Sequence, residues 1–304
     1  MKDTGPIPAG YGLQNGELAI GGMTASALVD RAGDTPLFVY SADHLRKRVA
    51  DLRAAMPKRL AIHYAMKGNP FPAVLTLMNG LVDGFDIASG GELELALAAG
   101  VDATKISFAG PGKRDRELER AISLGVTLNC ESEGEVDRAV VIGATLGVTP
   151  RLAVRVNPSF DLKGSGMKMG GGAKQFGVDA DRVPALVMRI IASGAEYRGF
   201  HIYAGSQALK ADAIIEMQVQ TLSLVAELTE AIGVPPPHVN LGGGFGIPYF
   251  PGDMPVDIAA VGAALSLAGV AVVLSRGELA QLGALRLVAG DGWMLLAALT
   301  WAWY

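Results

Sequence analysis

The chain lacks what would tie it to an oxidising compartment or to a polyanion. It has a single cysteine, Cys130, so an internal disulfide is excluded and a reducing compartment is expected. Neither charge dominates, with 26 Lys and Arg against 30 Asp and Glu and a net charge of -4, so no basic stripe or acidic tail suggests a nucleic acid partner. No metal site is expected either. The opening "MKDTGPIPAGYG" has no apolar run, so no signal peptide is read there and the expected location is the cytoplasm. Charge is missing altogether from Ile258 to Ser275, "IAAVGAALSLAGVAVVLS". Such a run is at the lower edge of what crosses a bilayer, and a fully buried helix plus strand would look the same. A second apolar run, "GWMLLAALTWAWY", starts at Gly292 and has the tryptophans and tyrosine of an interfacial belt.

What the chain does have is alternation. Short β-rich runs recur at 37–40 (LFVY), 60–66, 81–87, 105–110, 126–130, 151–157, 197–203 and 238–241, with helical patterns such as "RDRELERAISLG" between them. Several helices close on glycine before the next strand. This spacing predicts βαβ units around a parallel sheet. With the 37–40 run set aside as an N-terminal addition, seven βα repeats remain. "VAVVLS" at 270–275 is the candidate eighth strand of a (β/α)₈ TIM-type barrel, and a doubly wound sheet is the alternative. Both folds gather chemistry at the C-terminal ends of their strands.

The strand ends are chemically rich. "HYAMKGNP" drives an apolar strand into Lys67 and stops it at once with Gly, Asn and Pro. Lys67 is either a snorkelling cap or a nucleophilic amine whose carbonyl partner sits in a pocket. The second strand ends at Asp86, followed by Ser89, Gly90 and Gly91 with Glu92 and Glu94 in the next helix's first turn, where carboxylates match the helix dipole. Arg155 falls inside an apolar strand and needs a carboxylate or phosphate partner. His201 and Tyr203 share a strand face by period two, with Ser206 in the loop beyond; a satisfied core histidine is the commoner fate of the former. The seventh strand runs into "NLGGGFG", where Gly242, Gly243 and Gly244 let the backbone approach a phosphate. An amine and a phosphate anchor at one barrel mouth suggest pyridoxal 5'-phosphate.

These motifs resemble the fold-type III pyridoxal-phosphate decarboxylases, the diaminopimelate and ornithine decarboxylase family. "YAMKGNP" is similar to its Schiff-base strand, "FDIASGGEL" to its second-strand motif, "HIYAGSQ" to its sixth and "NLGGGFG" to its phosphate loop. "GSGMKMGGGAKQFG" and "FHIYAGSQ" are closest to its exosortase-associated branch. The resemblance covers about residues 15–255. It implies decarboxylation of an L-amino acid of the diaminopimelate or ornithine class, with Lys67 attached to the cofactor and Gly242, Gly243, Gly244 and Ser206 on its phosphate. Asp86, Arg155 and one of Glu92 and Glu94 would form the polar network around the amine and ring. The family stacks a histidine on the ring where this chain has Tyr203, with His201 two residues earlier.

It also implies a homodimer, completed by a C-terminal β-domain that is missing here. Ser275, in "VVLSRGELA", stands where the family has the glutamate that faces the pyridine nitrogen. From about Ala263 to Tyr304 the sequence resembles an EamA-type drug/metabolite transporter segment. The expected division is therefore a pyridoxal-phosphate-binding, alanine-racemase-like barrel over 1–257 and an atypical apolar tail over 258–304. The tail would hold the eighth strand and a membrane-like helix, with a break near 255–263 that a chimera, a rearranged gene or an assembly error would leave. The alternatives to decarboxylation are a non-decarboxylating pyridoxal-phosphate-binding barrel and an inactive chimeric remnant.

Overall fold

A computed structural model describes residues 11–160, 167–168 and 175–274. Its centre is a parallel sheet of seven strands: β1 (His63–Ala65), β2 (Gly84–Ile87), β3 (Ile106–Phe108), β4 (Thr127–Cys130), β5 (Arg151–Asn157), β6 (Glu196–Ile202) and β7 (Val239–Asn240). They pair in strict chain order from β1 to β7, with Val178–Asp179 as a short side strand on β5. A doubly wound sheet would reverse its order at a switch point, and this one does not. The sheet also curls. The Asn240 side chain on β7 bonds that of Asp86 on β2 at 3.0 Å, which a flat sheet of this order forbids. The architecture is that of the (β/α) barrel, and among the described residues no backbone ladder joins β7 to β1.

Period two explains why the helices pack outside. Phe85 and Ile87, Ile106 and Phe108, Leu128 and Cys130, Leu152, Val154 and Val156, and Phe200 and Ile202 all join the main buried cluster. They face helices α2 (Pro72–Asn79), α3 (Gly90–Ala98), α4 (Asp115–Ser123), α5 (Glu133–Leu146), α6 (Val183–Ala192) and α7 (Ala211–Ile232), which follow the strands in turn. The alternate positions include Asp86, Ser107, Asn129, Arg155 and His201, so the barrel interior is largely polar where the fold commonly fills it with branched apolar side chains.

Two sequence expectations fail. Residues 37–40 form no strand: the segment follows Pro36, finds no strand partner among the described residues, and leaves Phe38 88% exposed. The N-terminal β-structure lies earlier, in an antiparallel sheet of Gly12–Gln14, Glu17–Ile20 and Met23–Thr24. Nor do residues 270–274 form an eighth strand. They end a helix, α8 (Ile258–Leu274). Asp257 caps its start, accepting from the Ala260 amide at 3.0 Å. Once nucleated, the helix propagates through valines that β-propensity alone would assign to a strand.

The start of α8 packs on the barrel. Val261 is fully buried in a second cluster with Met56, Ala204, Ala208, Ile214 and Met217. A Cβ on Gly262 would fall 1.8 Å from the Ala55 carbonyl oxygen of α1 (Ala42–Ala55), so the two helices meet backbone to backbone. Among the described residues no helix is long and apolar enough to cross a membrane. Ser275, the transporter-like stretch to Tyr304 and the Trp293–Tyr304 run lie outside the described residues.

Candidate active site

Lys67 owes its position to a tight turn. After β1 the chain makes a single 3₁₀ turn, Met66–Gly68, which buries Met66 completely and turns Lys67 outward at the barrel mouth. The Tyr64 hydroxyl donates to the Asn69 carbonyl at 2.9 Å and fastens the turn. Lys67 Nζ then lies 5.0 Å from the centroid of the Tyr203 ring, beyond the end of β6.

The glycine loop reaches the same ring. Gly242 has φ +68°, and a Cβ there would lie 2.8 Å from both Tyr203 Cδ2 and the Ile202 carbonyl oxygen. Two backbone bonds join this loop to the one carrying Ser206. The Ala208 amide donates to the Gly244 carbonyl at 2.9 Å, and the Gly246 amide to the Ala208 carbonyl at 2.8 Å. Ser206 is half-buried within this unit. Lys67, Tyr203, Ser206 and Gly242–Gly244 therefore form one locality built from three strand ends.

Within the loop the glycines differ. The Gly242 amide donates to Asn240 Oδ1 at 2.9 Å, so this donor is already engaged. The amides of Gly243, Gly244 and Phe245 have no partner among the described residues. A Cβ on Gly243 would meet nothing within 4 Å, so open space lies beside it.

Behind this locality the polar interior is ordered by charge. Asp86 receives Asn240 Nδ2 at 3.0 Å on one oxygen and His63 Nδ1 at 2.9 Å on the other. Burial would raise its carboxyl, but the His63 bond and charge outweigh burial and hold it below the usual carboxylate value. For His63, burial pulls the pKa down, and the Asp86 contact, helped by the Asp83 charge, outweighs it and leaves the imidazole raised. Arg155 has the carboxylate partner that its buried position demanded: Glu131 Oε1 at 2.9 Å, with the guanidinium 4.8 Å above the Phe176 ring. His201 is buried against Arg155 and Asp86. Burial first, then the Arg155 charge, pushes its pKa down to about 4, so the ring is neutral at physiological pH. Its Nδ1 has no hydrogen-bond partner among the described residues.

The two glutamates of α3 do not join this network. Glu92 turns back to accept from the Ala88 amide at 2.7 Å, capping its own helix. Glu94 lies on the outer surface, paired with Arg120 at 2.9 Å. A first-turn carboxylate is drawn to the helix N-terminus, and Glu94 is carried to the solvent side by the helical period. The residues that sequence reasoning missed are His63, Glu131 and Asn240. Glu131 directly follows Cys130 at the end of β4, and that strand-end position was its only signal.

The pyridoxal-binding-domain model of the pyridoxal-dependent decarboxylases matches residues 42–273. This match runs past the compositional change at 255–263. A diaminopimelate decarboxylase from Aquifex aeolicus is 37% identical over 254 residues, covering 81% of this chain and 59% of the relative. An L-glutamyl-[BtrI acyl-carrier protein] decarboxylase from Niallia circulans is 34% identical over 231 residues, covering 75% and 54%. A crystal structure of a diaminopimelate decarboxylase from M. jannaschii in co-complex with L-lysine superposes with a TM-score of 0.77 at 27% identity, covering 87% of this chain and 63% of that one. The chain thus spans little more than half the length of the curated relatives it matches. With the sequential parallel barrel and the lysine, tyrosine and glycine loop at its mouth, this establishes that the chain belongs to the pyridoxal-dependent decarboxylases and carries their pyridoxal-binding domain.

Proposed function

We propose that the protein decarboxylates an L-amino acid with pyridoxal 5'-phosphate attached at Lys67. One observation carries the reading: Lys67 Nζ lies 5.0 Å from the Tyr203 ring centroid and Gly242 packs against the same ring, so amine and phosphate loop share one site. The interior fits the cofactor. The Nδ1 of buried His201 and the amides of Gly243, Gly244 and Phe245, which have no partner among the described residues, and the space beside Gly243 can take its polar contacts. The amides of Gly243, Gly244 and Phe245, with Ser206, would hold the phosphate, and Tyr203 offers a ring face for stacking. Asp86 and Arg155 keep a balanced charge beneath the site, each already paired, so neither draws Lys67 away. Bound there, the cofactor supplies the electron sink for the pair left behind when the α-carboxylate departs as carbon dioxide.

The substrate class we assign is that of the relatives, an amino acid such as diaminopimelate, lysine or ornithine, handled in the cytoplasm by a homodimer. Buried Cys130, whose thiol is raised far above its usual value by burial and by the Glu135 charge, suits a reducing compartment. Reconstitution with pyridoxal 5'-phosphate, borohydride reduction and peptide mass spectrometry should find the pyridoxyl group on Lys67. Carbon dioxide release on a panel of dicarboxylic and basic amino acids tests the reaction. A pyridoxyl group on another lysine overturns the site, and cofactor binding without carbon dioxide release on any of them favours a non-decarboxylating barrel.

A further inference from the structure

We propose that Asn240 is a positioning residue that presets the glycine loop, held in place across the barrel mouth by Asp86 and His63. Only the naming of the loop's ligand as a phosphate rests on the reading above. Asn240 is the last residue of β7, and both ends of its amide are engaged. Nδ2 donates to Asp86 Oδ2 at 3.0 Å, and Oδ1 accepts from the Gly242 amide at 2.9 Å. A carboxamide is the side chain that donates on one arm and accepts on the other from a single planar group. Its orientation is set by the partners, because the flipped amide would bring two donors together at Gly242 and an oxygen against the Asp86 carboxylate.

The consequence lies in the loop. Turning the Gly242 amide inward accompanies its φ of +68° and reverses the chain against Tyr203. The next three amides, of Gly243, Gly244 and Phe245, are then left without partners among the described residues. The other oxygen of Asp86 is bound by His63 on β1 at 2.9 Å. β1 and β7 are the two strands that no backbone ladder joins among the described residues, so His63, Asp86 and Asn240 link the sheet's two ends through side chains. A preset loop does not have to be ordered when the ligand arrives, which raises affinity for the group it cradles.

Two measurements on the full chain decide this. The first is hydrogen exchange over residues 238–248 without ligand. Asn240→Leu removes both bonds of the amide and should raise exchange there by about tenfold. Asn240→Asp keeps the acceptor for Gly242 but sets a like charge against Asp86, and should give a smaller rise. His63→Ala, which among the described residues shares no hydrogen bond with Asn240 or the loop, should also raise it. Exchange unchanged in Asn240→Leu or in His63→Ala overturns the proposal, whatever the chain binds.

The second is affinity for pyridoxal 5'-phosphate against unphosphorylated pyridoxal. Asn240→Leu should cut the preference for the phosphorylated form by about tenfold while leaving pyridoxal binding within about twofold. Parallel loss of both affinities would make Asn240 a merely structural residue and overturn the positioning role. A parent chain with no preference for the phosphorylated form would instead sink the cofactor reading, while the exchange measurement still judges the clamp.

Discussion

Two lysines stand just beyond barrel strands, and their fates differ. Lys67 follows β1 and Lys113 follows β3, and glycine and proline lie close to both. Lys113 is sealed, its side chain 1% exposed, with Nζ donating to Glu135 at 2.7 Å, to the Gly110 carbonyl at 2.8 Å and to the Asn129 carbonyl at 2.9 Å. All three of its donors are in use. Lys67 is exposed at the mouth, with an aromatic face as its near neighbour. A buried lysine whose donors are all engaged is architecture, and one at an open mouth beside a ring is available for chemistry.

Breaking each lysine should give opposite results. Lys113→Met strips the partner from a buried carboxylate and should cost about 3–5 kcal/mol of stability in urea denaturation. Lys67→Ala should change stability by less than about 0.5 kcal/mol yet abolish covalent pyridoxyl attachment. Equal stability losses in the two variants would mean that the contrast in burial is without energetic meaning.

The same contrast sharpens at the glycine loop. Gly242→Ala meets the Ile202 carbonyl and the Tyr203 ring at 2.8 Å with φ +68°, and should destabilise the fold by about 1–3 kcal/mol. Gly243→Val enters open space and should leave the melting temperature nearly unchanged while weakening pyridoxal 5'-phosphate binding. A Gly243 variant that melts early but binds normally would reverse the assignment.

Two histidines, partly exposed His63 and buried His201, should respond to pH with opposite signs. His63 is raised when folded, so its contribution is complete below its ordinary value of 6.5 and fades as pH climbs through the raised value. His201 is lowered from 6.5 to about 4, so the unfolded chain takes up a proton first and stability falls as pH drops through that window. Comparing the parent with His63→Gln and His201→Gln between about pH 5.5 and 8.5 should show the first difference growing toward acid and the second shrinking. The smallest effect belongs to the surface: Glu94→Gln breaks a half-exposed pair with Arg120 and should cost less than about 1 kcal/mol, with cofactor binding intact.

Much of this was legible in the chain, because period-two strands, helix caps and glycine stops are local signals. The strands β1 to β7 fall where the β-rich runs stood, and β5 keeps its run residue for residue. Arg155's need for a carboxylate was legible too, since a guanidinium in an apolar strand cannot stay unpaired. The partner's identity was not. Glu131 meets Arg155 only because β4 and β5 are neighbours in the sheet. The reading of 270–274 as strand went wrong because a short apolar run carries no period, and the helix begun at Asp257 decided the matter.

The sequence by itself determined the alternating βα order, the lysine at a strand end and the glycine loop, since each is written in contiguous residues under local steric rules. Only the tertiary structure decided which groups meet. Curling brought Asn240 to Asp86 across 154 residues of chain, brought Lys67 and Gly242 to the one Tyr203 ring, and sent Glu92 and Glu94 away from the site. Those pairings depend on how strands wrap around a common axis, and no local pattern in the chain encodes that distance.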